Sequence, residues 1–200
     1  LLLLAVKIFF LSAINRNFTA QKKYIMKKKI ISLLVCICVV LISTAQNLQS
    51  FTVTLSTQEG GSNYLSIANK KVYSAAGATT NKSAINLVLL NSNSWSGPKL
   101  EWYNMSGKDD KVPAELWGTA TLINAISLDK NQFAQCNTNQ DLKRMTGHIT
   151  NNSFSHVASV GEKEVRYHCF IVQLENGKRG LLWVDAAEGG GFKVLVKMQG

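Results

Sequence analysis

The side chains best able to do chemistry gather in one stretch, YHCFIVQLENGKRGLLWVD, residues 167 to 185. His168 stands beside Cys169, and Asp185 follows after a turn. A thiol, an imidazole and a carboxylate are the parts of a cysteine nucleophile site, where the base must lie within hydrogen-bond reach of the sulfur. Asn176 and Gly177, set between two apolar runs, are the preferred centre of a two-residue hairpin turn. That turn places Glu175 opposite Lys178. Counting outward sets His168 against Asp185, Phe170 against Trp183 and Val172 against Leu181 on one face. Cys169 against Val184 and Ile171 against Leu182 fall on the other. Because successive strand side chains point to opposite faces, the sheet is expected to separate Cys169 from His168. No catalytic residue is assigned, and His168 with Asp185 is expected to form a polar pair on the sheet.

Other chemistries have less to stand on. His148, His156 and His168 lack tight metal-ligand spacing, so no metal is assigned. Asp109, Asp110 and Glu115 form an acidic patch without the ligand spacing of a calcium loop. No nucleophile elbow, phosphate loop or dinucleotide fingerprint is present, and no cofactor is expected. Trp95, Trp102, Tyr103 and Trp117 crowd the middle of the chain, largely in segments that read as loops. Aromatic residues on loops suit stacking against sugars or packing on a partner. The same residues would also serve as a lid on the core.

Composition narrows the classes further. The chain has 200 residues and a formal charge of +10. Seven of its 22 Lys and Arg lie in residues 1–45, where there is no acid, so the remainder carries 15 cations against 12 acids. A surplus of about three charges offers no case for nucleic acid, which needs a clustered basic face. From Met26 the sequence MKKKIISLLVCICVVLISTAQ has lysines, an apolar run from Ile30 to Ile42, and small residues ending at Ala45. These are the parts of a secretory signal peptide, expected over residues 26–45 with cleavage before Gln46. A retained anchor helix is the alternative. Residues 1–25 are expected to be over-extended translation, and 46–200 a single exported domain without a membrane span. Export leaves Cys136 and Cys169 either bridged or as buried thiols. A bridge would contribute about 3 to 4 kcal/mol in the chain-entropy model.

The elements that must position these residues are mostly strands. SFTVTLS alternates, with Phe51, Val53 and Leu55 on one face. YLSIANKKVYS reads as a hairpin bending at Ala68–Lys71, and INLVLL as a central strand buried on both faces. KLEWY reads as a short strand, and NSNSWSGP before it as a loop. LDKNQFAQCNTNQDLKRM carries two capping boxes, Asp129 with Gln132 and Thr138 with Asp141, each opening a short helix with Phe133 or Leu142 buried. The closing strands, including FKVLVKM, form a meander. The predicted fold is α+β, mainly β. Its antiparallel sheets form a sandwich or open barrel, with the C-terminal meander and one or two short helices.

Three of these stretches carry a resemblance: KKVYSAAGATTNKSAINLVLL, LDKNQFAQCNTNQDLKRM and CFIVQLENGKRGLLWV. In that order they resemble small secreted domains of Gram-negative, gut- and gliding-type bacteria, roughly over Tyr64 to Met198. Asn86 departs from that pattern, standing where an acidic residue is common, as do the two cysteines. The resemblance implies an exported or surface module and carries over no functional residue. The expected function is non-catalytic binding of a glycan or a surface protein. The alternatives are a hydrolase acting on envelope or polysaccharide substrates, and a periplasmic inhibitor or structural protein.

Overall fold

The computed structural model describes residues 46–94, 97–107, 109–160, 168–187 and 191–200. The expected leader, residues 1–45, lies outside the described residues, as do Trp95, the start of the penultimate hairpin and the glycine turn after Glu188. The described residues form ten strands. They are β1 (Gln49–Ser56), β2 (Tyr64–Ser66), β3 (Lys71–Tyr73), β4 (Leu87–Ser94), β5 (Gly97–Asn104), β6 (Leu122–Ile126), β7 (Val157–Val160), β8 (Cys169–Gln173), β9 (Arg179–Ala186) and β10 (Gly191–Met198). The described residues also form three short helices, α1 (Ala75–Thr80), α2 (Lys130–Gln135) and α3 (Asn139–Thr146), and three 3-10 turns.

Every strand pair is antiparallel. One sheet runs β1-β10-β9-β8-β6, the other β3-β2-β4-β5-β7. The alternation of β1 is realised: Val53 and Leu55 are buried while Thr52 and Thr54 are exposed. Val53 and Leu55 join Leu87, Leu89, Trp102, Phe170, Val172, Leu182 and Val194 in a core shared by both sheets, so the sheets pack face to face as a sandwich. A bridge between Ile123 and Ser155 ties them at one corner. The predicted meander is β8-β9-β10, with β8 and β9 in the sheet interior.

Both outer faces are covered as well. Phe133, Leu142, Cys136 and Trp183 form a second cluster where α2 and α3 dock on the first sheet. Both predicted capping boxes are present, at Asp129 with Gln132 and at Thr138 with Asp141. Helices of six and eight residues are marginal alone, so these caps and the buried Phe133 and Leu142 hold them in place. Met105, Val112 and Leu116 help cover the second sheet. The segment NSNS, expected in a loop, instead extends β4, which pairs with β5 as far as Ser94 with Gly97. Main-chain pairing along a hairpin needs no apolar side chains, which is why the polar run concealed it.

The register of the β8–β9 hairpin corrects the sequence expectation. Cys169 pairs with Trp183, Phe170 with Leu182 and Ile171 with Leu181, one residue away from the predicted set. Its loop has three residues, not two: Gly177 N–H donates to Leu174 O (2.9 Å) and Leu174 N–H to Lys178 O (2.9 Å). Only Gly177 is left-handed, at φ +80°, whereas Asn176 keeps negative φ. A turn followed by one left-handed residue adds a position to the loop, and a one-residue slip exchanges the cross-strand partners.

Candidate functional site

The slip disperses the first candidate constellation. His168 precedes β8 in a bend, and its carbonyl accepts from Val184 N–H, so Val184 and not Asp185 stands across from it. The imidazole Nδ1 also meets Val184 O, and the ring stacks on Trp183 at 5.5 Å between centroids. Asp185 bonds elsewhere: Lys130 Nζ at 2.8 Å and Trp183 Nε1 at 2.9 Å. Burial pushes its carboxyl pKa up, but the bonds from Lys130 and Trp183 outweigh that, with help from His168, and hold it below the ordinary range.

Cys136 and Cys169 are free thiols, both fully buried in the cluster under α2 and α3. Burial pushes Cys169 up to about 12, with Cys136 adding to the effect, and Cys136 itself up to about 11. Strict strand alternation does not set His168 apart from Cys169, because His168 lies outside the strand and leans on the tryptophan opposite Cys169. Burial is what disarms the sulfur: near neutral pH it stays a protonated thiol.

The aromatic residues separate by exposure. Trp102 and Tyr103 lie on strand β5, as the strand reading of KLEWY has them, and are 0% and 2% exposed. Rings buried in the two cores have no face for a ligand. Trp117 is different: among the described residues it is the large hydrophobic side chain left in solvent, at 46% exposure.

Trp117 is also held still. It follows the 3-10 turn Ala114–Leu116, and its indole N–H donates to Val112 O at 2.9 Å. The six-membered part of the ring lies over Gly107, where a Cβ would come within 2.4 Å of Cδ2. Gly107 has φ +74°, so the position favours glycine twice, by conformation and by space. The ring thus rests on this backbone while nearly half of the residue stays in solvent.

Two shallow cavities meet beside it, at the end of the sandwich where loops from both sheets converge. The first, of about 300 Å³, is lined by Trp117, Gly118 and Thr119, by Lys82 and Ser83 of a 3-10 turn, and by Glu175 of the β8–β9 loop. The second, of about 350 Å³, shares Ser83, Thr119 and Glu175 and continues past Asn86 to Ala68 and Asn176. Asn86 forms a rigid part of its wall: its Oδ1 accepts Ile67 N–H (2.8 Å) and its Nδ2 donates to Thr121 Oγ1 (3.3 Å). These volumes are at the small end of small-molecule sites.

Of the predicted residues that the structure describes, only Trp117 lines this groove. Lys82, Ser83, Thr119 and Glu175 went unmarked in the sequence, since small polar residues between strands read simply as loop. Among the described residues, no group of three or more His, Cys, Asp or Glu could hold a metal ion, and no helix is long and apolar enough to cross a membrane. No family model, curated protein or solved structure matches the chain.

Proposed function

We propose that this chain is a non-catalytic binding module that takes a saccharide in the groove beside Trp117. The carrying observation is the ring itself, anchored at Val112 O, backed by Gly107 and still 46% exposed. An exposed aromatic normally loses rotamer freedom when a ligand stacks on it. Here the fold has already removed that freedom, which is how preorganised sites gain affinity. The apolar face of a sugar ring suits the indole, and Lys82, Ser83, Glu175 and Asn176 offer polar contacts along the walls. A flat protein partner would make little use of so small a recess. A glycosidase would ordinarily need two carboxyl groups flanking the bond, and Glu175 is the single carboxylate in the described lining. In this reading the N-terminal segment exports the domain to the envelope or beyond, where glycans are exposed.

The test is a glycan and envelope-polysaccharide binding screen on wild-type protein and Trp117→Ala. A Trp side chain presents up to roughly 250 Å², and at 46% exposure about 100 Å² remains to be covered. At about 25 cal/mol per Å² that is about 2 to 3 kcal/mol, or roughly 30- to 150-fold in affinity. Trp117→Ala should lose that factor and keep a cooperative unfolding transition. Undiminished saccharide binding by the variant would refute the assignment.

A further inference from the structure

Lys82 and Glu175 line the same 300 Å³ cavity as Trp117. They carry opposite charges, yet no ion pair joins them. The ion pairs among the described residues are Lys130 with Asp185 and Arg144 with Asp141. Neither the Lys82 ammonium nor the Glu175 carboxylate has a side-chain hydrogen bond to another described residue. Both are exposed, one on the 3-10 turn that leads into β4 of the second sheet and the other on the β8–β9 hairpin loop of the first sheet. Their backbones are therefore set by separate elements. The 3-10 turn is closed by Ile85 N–H to Lys82 O (3.2 Å), and the hairpin loop by Gly177 N–H to Leu174 O.

Two opposite charges held in one recess without meeting leave complementary positions on a ligand between them. A neutral sugar would leave both at the wall without a counter-charge. A purely anionic or cationic sugar would satisfy one and face the other as a like charge, and like charges disfavour each other.

We infer that the ligand is a zwitterionic saccharide, a sugar bearing both a carboxylate, directed to Lys82, and an ammonium, directed to Glu175. This rests on the reading of the Trp117 groove as a saccharide site, and names the class of sugar it takes.

The experiment compares four monosaccharide probes by titration calorimetry and ligand-observed NMR, using protein recovered from expression of the full chain. The probes are glucose, glucuronic acid, glucosamine and muramic acid, which are neutral, anionic, cationic and zwitterionic. An exposed charge pair contributes about two- to fivefold. Muramic acid should therefore bind about two- to fivefold tighter than glucosamine and glucuronic acid, and the preference should shrink as salt is raised. Lys82→Ala should bring muramic acid down to glucosamine, and Glu175→Gln should bring it down to glucuronic acid. Both residues are exposed, so both variants should unfold as the wild type does, which circular dichroism on heating checks.

Equal affinity for all four probes, or a preference for glucose, would overturn the zwitterion inference. If that binding still depended on Trp117, the saccharide reading would stand. Absence of binding by any probe, with Trp117→Ala indistinguishable from wild type in the polysaccharide screen, would overturn both.

Discussion

Lys197 lies on β10 with 8% of its surface exposed, and its ammonium is held almost entirely by the end of a helix. Nζ donates to Phe133 O at 2.8 Å, Ala134 O at 2.9 Å, Cys136 O at 3.0 Å and Asn137 Oδ1 at 3.0 Å. The last carbonyls of a helix have no intrahelical donor, and they form the negative end of its dipole. Lys197 caps α2 from a neighbouring strand. Replacing it with Met keeps the apolar stem and removes every donor. Phe133 O retains Cys136 N–H at 3.2 Å, but the other three acceptors lose the ammonium. Hydrogen bonds to a charged group contribute about 1.5 to 3 kcal/mol each. Against this stands the desolvation that lowers the Lys197 pKa, so the sum is well below three such bonds. A net loss of about 2 to 4 kcal/mol follows, which for a domain of this size is about 5 to 15 °C in Tm. Urea unfolding of wild type and Lys197→Met measures it from the shift in midpoint at constant slope. A variant as stable as wild type, or more so, would show that desolvation outweighs the bonds and would refute the helix-capping account.

The buried thiols predict a sensitivity to alkali. Their pKa values rise from 9.0 to about 11 and about 12 in the fold, so the unfolded chain releases these protons first. Their contribution is whole below about pH 9 and is lost as pH climbs toward 12; Cys169→Ala should flatten the stability profile over that interval relative to wild type, as followed by urea unfolding at each pH. Gly177→Val should cost about 1 to 2 kcal/mol from the left-handed backbone alone, since nothing lies within 4 Å of an added Cβ, and a denaturation midpoint matching wild type would contradict the three-residue loop.

What the sequence revealed about the fold follows the range of the forces involved. Capping at Asp129 and Thr138 is decided within three residues, and alternation in β1 within seven, so both were readable. The site depends on distant meetings. Lys82 and Glu175 are 93 positions apart and share a cavity only because loops of two sheets converge. Trp117 was visible as an aromatic in a loop and Trp102 as one in the strand KLEWY, but nothing near either ring showed which would stay exposed. That difference lies in Gly107 and Val112 beneath one ring and in a closed sandwich around the other. Lys197 was hidden for a related reason. In FKVLVKM it occupies the polar phase of an alternating strand, a solvent-facing position unless a helix covers that face.

The hairpin shows where local reasoning reaches its limit. In β9, Leu181 and Trp183 lie on one face and Leu182 and Val184 on the other, and in β8 Phe170 and Val172 oppose Cys169 and Ile171. Either face of either strand can be buried. Sliding β9 by one residue would therefore exchange apolar side chains for apolar side chains, and the hydrophobic pattern barely distinguishes the registers. A half-exposed strand would have penalised the slip heavily. With patterning silent, the turn decides, and Asn-Gly is compatible with more than one loop. Here Asn176 Oδ1 accepts Lys178 N–H at 3.1 Å, a bond across the turn that accompanies negative φ at Asn176 and leaves Gly177 alone in the left-handed region. The chosen register puts Phe170, Val172, Leu182 and Val184 into the sandwich, and Cys169, Ile171, Leu181 and Trp183 under the helices. The same three-residue loop carries Glu175 into the lining of the groove. A tight two-residue loop would start the turn one position later and return Glu175 to the strand end, so the step that changed the core packing also supplied a residue of the proposed site.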